Sequence, residues 1–362
     1  GYHGPLSLSI SGNGLFFGDT GSSRTFRLTN TSDQVVTATL SLRASQTPPT
    51  GQPALAGPVP LLLRGTLDPQ TGQFPYADLA TPSTITLGPG EGRNLVFAID
   101  RSLMGGNAGD VFQTILQVED SLNISRVDLP VQAITTSRSG LWVGAALVET
   151  VDQVTTSSIE QDDGTGTRDV TVTADAKAPT AFPLRLILHR SDSGAVKLLQ
   201  TVFIGKNPSG TDIVTTAESF LDPTNIKDAR RLSSTTFKLD ENLLGTGDLG
   251  LTGDISLTSV LGYNESTNPF VHAYHPDHDN RDAQFNAFPE LPDGIESYTV
   301  TRDITLTLAA DGASIGVNDL SWGSTNLGGT YAETVSGLRA DPITVKGSFV
   351  LYRVSDIPTL TE

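Results

Sequence analysis

A chain of 362 residues, 37% hydrophobic and 17% charged, has room for two domains of about 100–200 residues, each with its own core. Its 40 acidic against 23 basic residues leave a formal charge of −17, which argues against nucleic acid or an anionic membrane face as partner, because both select for basic patches. The absence of Cys excludes thiolate chemistry, Cys-type zinc sites and disulfide staples, and no run reaches the ~20 apolar residues of a membrane-spanning helix.

The chain opens on Gly1 without a basic and apolar leader, so it reads as a processed or excised segment. Its last residues, Ile357-Pro358-Thr359-Leu360-Thr361-Glu362, carry no lipidation or sorting signal. Low charge, Thr- and Val-rich segments and Arg well above Lys (17 against 6) fit an exported bacterial β-protein, and a secreted or cell-surface location is the expectation.

Apolar and polar residues alternate almost throughout, the period of a half-buried strand, and helical periodicity is nearly absent. In the first part the predicted strands are 6–10, 24–29, 35–42, 84–87, 94–100, 112–119 and 124–134. Turn residues such as Ser11-Gly12-Asn13-Gly14, Gly88-Pro89-Gly90 and Gly105-Gly106-Asn107 separate them. Short strands at this spacing predict an Ig-like β-sandwich over residues 1–135, without the Cys…Trp…Cys pin of antibody domains. Eight prolines (48, 49, 53, 58, 60, 69, 75 and 82) crowd residues 45–83. This insertion interrupts the pattern and is expected to cover a sheet edge or pack on a neighbour, with Leu61-Leu62-Leu63, Phe74 and Tyr76 as its apolar groups.

Three segments in this region carry a resemblance: Phe26-Arg27-Leu28-Thr29-Asn30-Thr31-Ser32, then Ile85-Thr86-Leu87-Gly88-Pro89-Gly90-Glu91, then Gly109-Asp110-Val111-Phe112-Gln113-Thr114-Ile115. In this order they resemble the Asn-Thr turn, Pro-Gly-Glu turn and final hairpin of bacterial Ig-like domains of the BACON type. The resemblance covers residues 1–135 and implies a spacer or binding module with no catalytic residues to carry over. The proline-rich insertion is its departure from the family pattern.

Thr135-Thr136-Ser137-Arg138-Ser139-Gly140 reads as a short linker, so the two domains are expected to sit close. Charge divides unevenly across it: residues 1–135 hold 7 basic and 10 acidic side chains, residues 136–362 hold 16 and 30. The second part opens on Leu141-Trp142-Val143-Gly144-Ala145-Ala146-Leu147-Val148, an apolar run that reads as a buried strand. Further strands are predicted at 168–174, 184–189, 197–204, 235–239, 254–261, 296–308, 329–338 and 343–354. Only 213–231 has helical character, and Pro223 splits it. Residues 136–362 are therefore expected to form a larger antiparallel sandwich or jelly-roll-like domain, and the whole chain to be all-β. Gly140-Leu141-Trp142-Val143-Gly144, Phe182-Pro183-Leu184-Arg185-Leu186-Ile187-Leu188-His189, His275-Pro276-Asp277-His278-Asp279-Asn280 and Tyr331-Ala332-Glu333-Thr334-Val335-Ser336-Gly337-Leu338 also look like an uncharacterised C-terminal β-domain of large secreted bacterial proteins. That likeness implies a location and no activity.

One constellation stands out chemically. His272, His275 and His278 fall within seven residues and are followed by Asp279, Asn280, Arg281 and Asp282, with Asp277 between them. Pro276 keeps His275 out of the helical region, so the segment reads as loop or extended chain. Asp277, Asp279, Asn280 and Asp282 offer the oxygens that Ca²⁺ requires, with Glu290, Asp293 or Glu296 to complete them; the EF-hand pattern itself fails. His272, His275 and His278 with an Asp are instead a ligand set for Zn²⁺. The remaining reading is a polar loop whose His and Asp satisfy backbone groups and one another. His189 ends the strand 184–189 and reads as a hydrogen-bonded strand-end histidine.

No organic cofactor is expected. Gly245-Thr246-Gly247-Asp248-Leu249-Gly250 matches a dinucleotide fingerprint by letter, but a strand and not a helix follows it. Nucleophile-elbow and phosphate-loop motifs are absent. The reading is a non-enzymatic extracellular structural or adhesive β-protein, self-assembling as a homo-oligomer or filament through addition of a strand such as 6–10 to a neighbour's sheet. Its main rival is a carbohydrate-binding accessory region of a secreted enzyme, with Trp322 and Tyr331 as stacking platforms for glycans; a metal-dependent hydrolase at the His/Asp loop is the third reading.

Overall fold

The computed structural model describes every residue except 1–5, 10–13, 20, 22, 122–125, 161–166, 235–242, 248, 251, 274–294, 318 and 339–341, and every side chain outside these and outside 6–9 and 152–179. The described chain is all-β, its helices being single 3-10 turns such as Arg101–Leu103. It divides into two units: Gly1–Arg138 with Val317–Asn326, and Ser139–Gly316 with Leu327–Glu362.

The first unit carries β1 (Leu6–Ser9), β2 (Leu15–Phe16), β3 (Ser23–Asn30), β4 (Val36–Ala44), β5 (Leu61–Arg64), β6 (Tyr76–Asp78), β7 (Ser83–Leu87), β8 (Gly92–Ile99), β9 (Val111–Asp120) and β10 (Arg126–Ile134). Among the described residues they form two sheets, β1-β3-β8-β5-β6 and β2-β10-β9-β4-β7. Strict alternation along β9 sends Phe112, Thr114, Leu116 and Val118 inward and Gln113, Ile115 and Gln117 outward. The inward residues of both sheets meet in one core that includes Leu28, Leu40, Leu61, Phe97 and Val131, with Phe26 stacked on Phe97 at 4.8 Å. This is an Ig-like sandwich.

Two of the turn motifs are tied to each other by one side chain. Asn30 is fully buried, and its amide donates to the carbonyls of Gln34 (2.7 Å), Leu87 (3.1 Å) and Gly88 (3.0 Å) while its oxygen accepts from the Ser32 N–H. The Glu91 carboxylate closes the second turn by accepting the Gly88 N–H, and that bond, with the Arg93 guanidinium, lowers its pKa below the usual carboxylate value.

The proline-rich stretch belongs to both sheets. Ala56 donates to Val111 and Gln113 donates to Gly57, a parallel bridge beside β9 where β4 has ended. Pro58 and Pro60 have no N–H to continue the ladder, so the chain leaves that sheet and enters the opposite one as β5 against β8, with β6 outside it.

The second unit carries β11 (Gly140–Glu160), β12 (Thr167–Arg190), β13 (Val196–Leu198), β14 (Thr201–Lys206), β15 (Asp212–Thr215), β16 (Arg230–Ser233), β17 (Leu243–Gly245), β18 (Gly253–Leu261), β19 (His272–Ala273), β20 (Ile295–Glu296), β21 (Val300–Leu308), β22 (Asn326–Ser336), β23 (Ile343–Ser355) and β24 (Leu360–Thr361). Eight of them form one sheet in the order β17-β13-β12-β11-β23-β22-β21-β18. Its two ends meet: Thr246 and Ser256 exchange both backbone hydrogen bonds at 2.9 Å. The sheet thus curls into a barrel-like layer around Trp142, Leu188, Ile255, Leu306, Tyr331, Phe349 and Leu351. Glycines make the tight coil sterically feasible. A Cβ at Gly144 would lie 1.8 Å from the Val350 oxygen, and one at Gly329 equally close to that of Thr307.

A second sheet, β16-β14-β15-β24, gathers Val202 and Val214 with Leu141, Ile187 and Leu199. β11 and β12 are therefore covered on both faces, Trp142 and Leu188 on one and Leu141 and Ile187 on the other. Double coverage explains why 141–148 is nearly continuous apolar sequence and not alternating. The predicted helical segment 213–231 is mostly turn: β15 ends at Thr215, and single 3-10 turns at Glu218–Phe220 and Ile226–Asp228 flank an Asp222 turn. There the Asp222 carboxylate accepts the Thr224 N–H and hydroxyl, outcompeting helical pairing beside Pro223.

Candidate functional site

The candidate site begins where the His/Asp segment leaves the described chain. β19 and β20 pair antiparallel, His272 opposite Glu296 and Ala273 opposite Ile295, so a two-residue ribbon brings residues 273 and 295 together. His272 Nε2 lies 3.1 Å from Glu296 Oε2, its Nδ1 lies 2.9 Å from the Phe270 carbonyl oxygen, and its ring stacks on Tyr298 at 6.0 Å. The Glu296 side chain is nearly buried, at 11% exposure, against 48% for His272. Beneath the ribbon, Asn268 fixes the preceding turn by donating to the carbonyls of Gly262 (2.9 Å) and Tyr298 (2.7 Å) and accepting the Phe270 N–H.

Of the metal ligands anticipated from sequence, the structure joins His272 and Glu296. His275, Asp277, His278, Asp279, Asn280 and Asp282, with Glu290 and Asp293, lie outside the described residues. Among the described residues no group of three His, Cys, Asp or Glu side chains gathers in metal-binding proximity. An imidazole nitrogen and a carboxylate oxygen 3.1 Å apart are donors for a transition metal, and Glu296 alone is a donor of the kind Ca²⁺ prefers. Both ring nitrogens of His272 face oxygen acceptors, so a neutral imidazole donates to one of them and an imidazolium to both.

His189 takes part in a different contact. It is 3% exposed, and its Nε2 lies 3.1 Å from the Ile357 carbonyl oxygen, an arrangement that requires the proton on Nε2. Burial, with Lys197 nearby, pulls its pKa below 6.5, against the opposing influence of the Ile357 bond and Glu362.

The two aromatic residues expected to stack on sugars require a correction. Trp322 is 1% exposed and Tyr331 is 2% exposed, so neither offers a ring face to solvent. Ser321 and Gly323 flank Trp322 in a loop, but that loop folds on itself: Asp319 accepts the N–H groups of Ser321 and Trp322, and Gly323 donates to Asn326. Tyr331 lies on the inward face of β22, where its hydroxyl donates to Glu333 Oε2 at 2.6 Å. The other oxygen of that carboxylate pairs with Arg302 of β21. The three form a buried network that sequence reasoning did not anticipate; the signal was there, since Arg302 and Glu333 occupy inward positions of alternating strands. Burial opposes the charge on Arg302, but the Glu333 bond outweighs it and raises the guanidinium pKa; burial and Glu333 together push the Tyr331 phenol upward.

No family model and no curated protein matches the chain. Solved structures that align with it include the Pseudomonas aeruginosa CupB2 chaperone (14% identity, 56% of this chain and 95% of that one, TM-score 0.23) and the periplasmic chaperone SfaE (8% identity, 51% and 92%, TM-score 0.22). A Bacteroides ovatus protein of unknown function aligns over 97% of this chain and 96% of its own at 8% identity, with a TM-score of 0.24. Similarity at this level carries no argument about function.

Proposed function

We propose that this chain is a non-enzymatic structural or adhesive β-protein of the bacterial exterior, that it joins copies of itself by strand addition, and that Ca²⁺ holds its His/Asp loop. The observation that carries this reading is β1. Its four residues lie at the rim of a five-stranded sheet and pair, among the described residues, with β3 alone, from Leu6 opposite Asn30 to Ser9 opposite Arg27. An edge strand presents unpaired backbone groups, and exchanging it between copies preserves every hydrogen bond while turning an intramolecular pairing into an intermolecular one. The buried polar side chains support a mechanical role, because they are spent on holding strands: Asn30 on two turns, Arg101 on three carbonyls, Arg302, Glu333 and Tyr331 on one another. The Ca²⁺ part is supported by the β19–β20 ribbon, which pairs His272 with Glu296 at the two ends of the sequence that contains Asp277, Asp279, Asn280 and Asp282.

Light scattering and electron microscopy of the purified chain over a concentration series, with and without Ca²⁺, test the reading. Growth of ordered oligomers that is suppressed by deleting residues 6–9 supports it. A strict monomer under every condition sinks it.

A further inference from the structure

A groove of about 870 Å³ in the first unit opens where the proline-rich stretch crosses from one sheet to the other. Its apolar lining includes the buried Val59 and Phe112 together with Leu42, Ala56 and Leu103, the last 66% exposed. One wall is strand without a second neighbour. β4 pairs with β7 only as far as Leu40 opposite Ser83, while its pairing with β9 continues to Ala44 opposite Thr114. Among the described residues, no strand runs beside positions 41–44 on the groove side.

The charges that line the groove are unbalanced. Arg43 is neutralised by Asp128 at 2.8 Å, within a set that also holds Arg126 and Glu119. Asp78 and Asp110 each accept one backbone N–H, from Ala80 (2.8 Å) and Asn107 (2.7 Å), and neither forms an ion pair among the described residues. An apolar trough with an open strand edge and two carboxylates without a cation selects one kind of occupant.

We propose that this groove binds an extended peptide with apolar residues around one lysine or arginine. Its backbone adds to β4 beyond Leu40, its apolar side chains enter the trough, and its cation is taken by the carboxylates of Asp78 and Asp110. The volume is within the range of built ligand sites, about 300–1,000 Å³. This inference is independent of strand exchange at β1 and of the cation loop, neither of which contributes a residue to the groove.

The test selects a phage-displayed library of random twelve-residue peptides on the full chain and measures the winners by fluorescence polarisation. Two variants define the site. Asp78→Asn with Asp110→Asn removes both charges and keeps an acceptor oxygen for each backbone N–H. Gly105→Trp adds an indole at a lining position of the groove, where a Cβ meets nothing within 4 Å. Unchanged melting temperatures check that both variants fold. The expected result is a selected set in which a basic residue sits among apolar ones, weakened about tenfold by the Asn pair and lost in Gly105→Trp. Failure to select any peptide, selected peptides without a basic residue, or binding indifferent to both variants overturns the proposal. Dodecylammonium binding with the same Asp dependence, without peptide selection, overturns it in favour of a small cationic amphiphile.

Discussion

Arg101 is a buried cation of the first unit. It is 3% exposed, no carboxylate pairs with it among the described residues, and its guanidinium donates to the carbonyls of Ile134 (3.0 Å), Gly18 (3.1 Å) and Gly21 (2.8 Å). Burial pulls its pKa down to about 10, still far above neutrality, so the charge persists and is met by three carbonyl dipoles. Arg101→Ala should lower the unfolding free energy by about 3 kcal/mol in urea titrations, and Arg101→Lys should recover less than half, because one ammonium cannot reproduce the planar fork. In the second unit Glu333→Ala leaves Arg302 without its carboxylate and should cost about 3–5 kcal/mol; Tyr331→Phe, which removes one hydroxyl donor, should cost only about 1–2 kcal/mol. His189 supplies a pH dependence. Its folded pKa is depressed, so the unfolded chain binds the proton more readily; its stabilising contribution is complete above about pH 6.5 and fades as pH falls below that value. The melting temperature of the native chain should therefore drop more between pH 7.5 and 5.5 than that of His189→Gln. Equal drops would assign the acid sensitivity to other groups.

At the scale of the element, curvature and anchoring decide what the strands do. Gly144 and Gly329 sit where neighbouring backbone oxygens leave no volume for a methyl group. Gly144→Ala should cost about 3 kcal/mol and lower the urea midpoint without changing the strand content seen by circular dichroism, because it strains the coil of the sheet and not its pairing. The β19–β20 ribbon is short, two pairs of residues, and two-stranded ribbons are marginal by themselves. A bound Ca²⁺ that closes residues 274–294 would steady it. Chelator should then lower the melting temperature, and Asp277→Ala with Asp279→Ala should abolish the difference; at a hundredfold excess of ion over Kd the stabilisation is about 2.7 kcal/mol. Identical melting curves with and without chelator would leave the segment as a polar loop held by its own hydrogen bonds.

Across the whole molecule, charge opposes the proposed association of copies. The excess of 40 acidic over 23 basic residues makes every pair of copies repel, most strongly through residues 136–362 with their 30 acidic and 16 basic side chains. Screening shortens that repulsion to about 8 Å at 0.15 M salt and about 3 Å at 1 M. Strand-mediated association should therefore strengthen with ionic strength in sedimentation measurements, since backbone pairing carries no net charge. Weakening with salt would point to association through opposite charges and against edge pairing.

Much of the architecture was readable before any coordinates. Alternation across 24–29, 35–42 and 112–119 specifies strands and their buried faces, because a period of two admits no other element, and Gly and Pro clusters mark the turns between them. The sheet-sharing path of 56–64 was not readable, since losing a donor at Pro58 and Pro60 forbids a continued ladder without saying which sheet receives the chain next. Nor was the fate of Trp322, whose Ser and Gly neighbours suggest exposure while the turn around Asp319 turns the indole inward. The same limit applies to chemistry. Clustered histidines and aspartates announce ligand types from the linear order, but the partnership of His272 with Glu296, the network joining Arg302, Glu333 and Tyr331, and the groove edged by Asp78 and Asp110 unite residues from distant strands. Local composition dictates period and turn; only packing decides which faces close, because burial is a property of neighbours that the chain meets after it folds.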